Sequence, residues 1–124
     1  DASFGAGLLD ALGQVVVDQQ RTLLIAYDSE YPEPLHSKRG ISDCGGVALL
    51  LAPARSGRAL ARIVVTATYG PAPALADAGL ESLRRDIPAM RSLPLLASLA
   101  RGEPGQVSVD YLPPMQLNVT VQPC

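Results

Sequence analysis

Near the start of the chain Phe4, Leu8, Ala11, Leu12, Val15 and Val16 recur at helical spacing, which predicts an amphipathic helix over residues 3–20. Gly5, Ala6 and Gly7 make its first turn slim, so a neighbouring element is expected to pack closely there. Asp1 or Ser3 is expected to cap the exposed N–H groups, and the polar run Asp18-Gln19-Gln20-Arg21 to end the helix. Thr22 to Tyr27 follows as an uninterrupted apolar run, the pattern of a strand covered on both faces. Ser29 to Asp43 is rich in Pro, charge and Ser and is expected to cross the surface as a long loop. Beyond it Val47 to Ala52 forms a second apolar run, and Ala61 to Tyr69, rich in β-branched residues, a third. The basic turn at 54–59 predicts that these two runs pair as a hairpin. Leu75, Leu80, Leu83 and Ile87 mark a helical segment closed by Pro88. A short helix then carries Leu93, Leu95, Leu96 and Leu99, with Ser92 as its cap and Gly102 at its end. Val107, Val109 and Tyr111 alternate, Pro113-Pro114 interrupts, and Leu117, Val119 and Val121 resume, which predicts two short strands or a bent edge strand. Together these elements predict an α/β fold, with strands near 22–27, 46–52, 61–69 and 106–121 in one mixed sheet.

Composition narrows the function classes. With 124 residues, 48% of them hydrophobic, the chain forms one domain with enough apolar side chain for a core. A net charge of −2 and scattered arginines exclude a basic stripe for nucleic acid, and Arg84-Arg85 reads as a solvated helix face. No apolar run has the length of a bilayer span and no signal peptide is visible, so the expected setting is cytoplasmic. The chain opens within a helix pattern and without Met, which reads as a piece of a longer domain. Cys44 and Cys124 lack zinc-site spacing, and one His cannot complete a metal set. The two thiols fit a reducing compartment, with a Cys44–Cys124 disulfide as the alternative. His36 lies in a loop composition, and the Asn118-Val119-Thr120 sequon matters only in a secreted protein. Gly45-Gly46 has no following helix and no Lys-Ser/Thr, so close backbone packing explains it better than a phosphate loop, and no cofactor is expected.

Several of these segments, in order, carry a resemblance. Asp1-Ala2-Ser3-Phe4-Gly5-Ala6-Gly7-Leu8-Leu9-Asp10-Ala11-Leu12 is followed by Leu23-Leu24-Ile25-Ala26-Tyr27-Asp28 and Tyr31-Pro32-Glu33-Pro34-Leu35. Arg39-Gly40 then leads to Gly45-Gly46-Val47-Ala48-Leu49-Leu50-Leu51, Ala61-Arg62-Ile63-Val64-Val65, and the late helix Leu93-Pro94-Leu95-Leu96-Ala97-Ser98-Leu99-Ala100-Arg101-Gly102. This order resembles the divergent β-ketoacyl synthase-like proteins of bacterial fatty-acid and aryl-polyene type gene clusters, and the likeness covers most of the chain. It implies a thiolase-like half-fold with a mixed sheet of about four to five strands, the chain being the C-terminal part of the N-terminal synthase-like domain.

In that family the helix is led by a nucleophilic Cys. Counting back from the strand at Leu23 sets Ser3, within two residues, at that place, and a Ser hydroxyl is a far weaker nucleophile than a thiolate unless a base activates it. The two His residues that assist condensation come from the C-terminal half of active family members, and His36 is in the wrong region to replace either. The resemblance therefore implies a non-catalytic partner, or acyl-pocket subunit, of a ketosynthase in fatty-acid or polyketide biosynthesis. An acyltransferase or condensing enzyme completed by another segment or chain is the second reading, and an unrelated α/β binding module the third. The expected partners are a ketosynthase or the protein's own N-terminal portion, with acyl carrier protein as a further candidate, and the expected state is a homo- or heterodimer with the helix over 3–20 at or beside the contact.

Overall fold

The computed structural model describes residues 1–124 and shows an α/β protein with four helices and five antiparallel strands in two sheets. Helix α1 (Ser3–Asp18) leads into β1 (Thr22–Asp28). A long connection holding the single-turn helix α2 (Leu35–Lys38) reaches β2 (Gly45–Leu51), and β3 (Ala61–Tyr69) follows. Next come α3 (Ala78–Asp86), a 3-10 helix (Pro88–Ser92) and α4 (Leu93–Arg101). Strands β4 (Gly105–Asp110) and β5 (Met115–Pro123) close the chain.

The expected single mixed sheet is replaced by two. β1 pairs with β2, and a separate sheet has the order β3-β5-β4. The predicted hairpin of β2 with β3 does not form. Each of those strands finds a partner elsewhere, β2 on β1 across the long loop and β3 on β5. The final segment is indeed two strands, with Pro113-Pro114 in the turn between them, but β5 lies at the centre of its sheet rather than at an edge. Its Pro123 comes at the last ladder position, where a missing N–H costs least.

The helical layer explains the core. The apolar side of α1 packs between the inner faces of the two sheets, and Phe4 and Leu8 share one buried cluster with Leu95 of α4, Val109 of β4 and Leu117, Val119 and Val121 of β5. Leu24, Ala26, Val47 and Leu49 close it from the other sheet. The slim first turn meets the close neighbour expected of it, since a Cβ on Gly5 would lie 2.5 Å from the Asp110 carbonyl oxygen. Gly45 has the same role at the start of β2, where an added Cβ would come within 3.1 Å of Ile87 and Met90. The helix ends two residues sooner than predicted, with Gln19 in the left-handed conformation.

β1 departs from expectation in its burial. Its side chains alternate, with Leu24 and Ala26 turned to the core while Leu23, Ile25 and Tyr27 are exposed. An apolar run therefore stands here in a strand covered on one face only. The helix-face assignment also inverts at α3. Asp77, unpredicted, caps it by accepting the Leu80 N–H at 2.9 Å, while Leu80 and Leu83 are partly exposed and Arg84 is buried. Ser92 makes no cap; its hydroxyl donates to the Ala89 carbonyl at 2.8 Å. Phe4, Leu8, Ala11 and Val15 of α1 are buried by the chain itself and Leu12 is half-buried, so most of the apolar face is core and not a free contact surface; Val16 and Val17, at its C-terminal end, stay exposed. No helix is long and apolar enough to cross a membrane.

Candidate functional site

The start of α1 is where the sequence sets its one candidate nucleophile. Ser3 is the first residue of the helix and exposed, and its hydroxyl has no hydrogen-bond partner within the chain. The N-cap position is Ala2, so neither Asp1 nor Ser3 makes the expected cap; Asp1, one residue earlier, instead accepts the Ser3 backbone N–H through a carboxylate oxygen at 2.8 Å. The other Asp1 oxygen pairs with the Arg39 guanidinium, brought over from the segment after α2. Next to this pair Ile41 is fully buried, which fastens the long loop to the body of the protein. Phe4 anchors the helix start in the core, and Gly5 lets it lie on the end of β4.

A helix N-terminus can stabilise developing negative charge. Here a carboxylate already occupies part of that field, and the nearby cation is engaged with it. No imidazole is bonded to Ser3. His36 sits on α2, beside an open concavity of about 400 Å3 also lined by Ile41, Ser42, Arg85 and Asp86. Cys44 precedes β2 and Cys124 ends the chain, both exposed and unpaired. No group of three or more His, Cys, Asp or Glu side chains has a metal-binding arrangement. Ser3, His36 and the two thiols, which the sequence singled out, are not joined by any hydrogen bond.

Beside the helix start lies a charged cluster that the sequence reading missed. Arg84, nearly buried, donates to both oxygens of Glu81, at 2.7 and 2.6 Å, and pairs with Asp110 at the end of β4. Arg91 of the 3-10 helix reaches Asp110 at 3.5 Å. Glu81 also accepts the Leu75 N–H at 2.9 Å. The hydrogen bonds from Arg84, followed by that from Leu75, hold the Glu81 carboxyl down to about 2, and the same carboxylate raises the Arg84 guanidinium above its ordinary value. Glu81 and Arg84 are three apart on a helix, a local signal that was present, whereas nothing in the sequence linked either to Asp110. The cluster ties α3 and the 3-10 helix to the strand end against which Gly5 packs, and it serves to position α1. Asp28 adds a second tie, accepting the Ala89 N–H at 2.6 Å.

Ser3 is thus exposed with no base hydrogen-bonded to its hydroxyl and with a carboxylate on its backbone N–H, an arrangement that does not itself activate the hydroxyl. No protein-family model, curated protein or solved structure matches the chain.

Proposed function

We propose that the chain is part of a divergent β-ketoacyl synthase-like domain with a thiolase-like half-fold, serving fatty-acid or polyketide biosynthesis of the aryl-polyene type as a non-catalytic partner or acyl-pocket subunit of a ketosynthase. The observation that carries this reading is the setting of Ser3. It stands at the helix start where the resemblance locates the family nucleophile, with no thiol in its place, no imidazole bonded to it and the Asp1 carboxylate beside it. The order of elements supports the same reading, since a helix with a slim first turn delivers the chain to a strand, and a long loop returns it to an antiparallel neighbour that opens with Gly45-Gly46. The partner is an active ketosynthase or the protein's own N-terminal portion, with an acyl carrier protein delivering the chain.

The test is acyl loading. The purified chain is incubated with an acyl thioester and malonyl-loaded carrier protein, and intact mass and condensation product are measured. The expected result is no acyl adduct and no product, with Ser3→Ala indistinguishable from the parent. A Ser3-dependent acyl adduct on the chain alone would overturn the non-catalytic reading. An adduct that forms only after a ketosynthase is added would favour an acyltransferase completed by a second chain, a reading that the solvent exposure of Ser3 permits.

A further inference from the structure

The outer face of the β1–β2 pair is apolar along its whole length. Leu23, Ile25 and Tyr27 project from β1, and Gly46, Ala48 and Leu50 from β2. Leu23, Ile25, Tyr27 and Leu50 are 58, 59, 78 and 66% exposed. Side chains of this size present roughly 500–600 Å2 at those exposures, so a contact that covers the face on two copies removes at most about 1,100 Å2 from water, the size of a weak but specific interface.

The relief of the face selects its occupant. The strand register sets Tyr27 opposite Gly46, Ile25 opposite Ala48 and Leu23 opposite Leu50. β1 therefore carries a ridge, and β2 a furrow at Gly46 and Ala48 that Leu50 closes at the far end. A two-fold axis between two such faces and parallel to the strands lays β1 of one copy over β2 of the other with residues level. Tyr27 then lies over Gly46 of the second copy, Ile25 over Ala48 and Leu23 over Leu50, and the same contacts repeat in the opposite sense. An axis across the strands would instead set Tyr27 over Leu23 and furrow against furrow. Because no charged side chain lies on the face, the two-fold brings no like charges together.

We infer that this face is the contact between two copies of the chain, stacked as a four-stranded sandwich at the usual sheet separation of about 10 Å. The inference goes beyond the ketosynthase-like reading and does not rest on it.

The test is sedimentation equilibrium of the full 124-residue chain and of three variants, with circular dichroism to check folding. The parent is expected to form a closed dimer. Ile25→Lys should be a folded monomer, and Leu60→Lys, an exposed apolar site off the face, should dimerise like the parent. Ala48→Trp is the decisive variant. It enlarges the apolar surface but fills the furrow, and overpacking there should weaken the dimer at least about tenfold. A parent that stays monomeric, or that associates without a limit, would overturn the inference. So would tighter association of Ala48→Trp, the mark of a merely sticky surface. If Ile25→Lys fails to fold, the sign of the Ala48→Trp change still decides.

Discussion

The two sheets share one core but differ on the sides turned away from it. The β3-β5-β4 sheet carries Arg62, Thr66 and Thr68, then Gln116, Asn118, Thr120 and Gln122, then Gln106, Ser108 and Asp110 on its outer face, half-buried toward the Asp110 end, with Val64 the only large apolar residue among them. The β1–β2 pair shows Leu23, Ile25, Tyr27, Ala48 and Leu50. Both inner faces are apolar and bury against α1 and α4. An antiparallel sheet with one solvated face ordinarily alternates apolar with polar residues, as the three-stranded sheet does. The two-stranded pair keeps the composition of a strand covered twice in a place where the chain covers it once. Within these residues that face has no second cover, and a contiguous apolar face of this kind marks an interaction surface, the one proposed above for a second copy.

The largest expected effect lies on the side the two sheets share. Leu8→Ala empties a site at the centre of the common core and should lower stability by about 2–5 kcal/mol, read as a shift in the urea midpoint. If the cost were near zero, the shared core would be a misreading and the two sheets would be separate units.

Arg84→Met tests whether the charged cluster holds the three-stranded sheet to the helices. Removing the guanidinium leaves Glu81 and Asp110 facing each other's charge, both still partly in contact with water, so the loss should be about 1–3 kcal/mol by the same measurement. The pH dependence has a definite sign. The Glu81 carboxyl falls from the ordinary 4.5 to about 2 on folding, so its contribution is complete above about 4.5 and is lost as the pH falls toward 2. Glu81→Gln should therefore flatten the acid dependence of the urea midpoint in that window and leave its slope near neutral pH unchanged. An unchanged acid slope would remove Glu81 from the account.

The smallest expected effect sharpens the contrast directly. Thr66→Lys, exposed on the polar outer face, should alter stability by less than about 0.5 kcal/mol and leave association alone. The same charge at Ile25 should abolish association with an equally small effect on folding. Equal behaviour of the two variants in sedimentation would erase the distinction between the outer faces.

Much of the element order was legible because it is written in local patterns. The recurrence of Phe4, Leu8, Ala11 and Val15, the β-branched run of β3 and the break at Pro113-Pro114 each fix an element through contacts within a few residues. The close packing expected at Gly5 was legible for the same reason, since small side chains in a helix turn leave room that a neighbour fills. Ser3 could be named as a candidate but not its surroundings, because Arg39 arrives from beyond α2. The Arg84 cluster was missed because its burial depends on Asp110, 26 residues further along the chain.

By itself the sequence determined the helices and strands, their order and which side of most of them is apolar, because backbone propensity and side-chain period act over single turns and pleats. Only the tertiary structure decided which strands pair, since β2 has two apolar neighbours in the chain and joins the one across the longer loop. It also decided that the apolar face of α1 is spent on the core of this chain while the outer face of β1 and β2 is left free. The physical reason is the same for both. Hydrophobic burial has no direction of its own, and a run of apolar residues records that it is to be covered without recording by what.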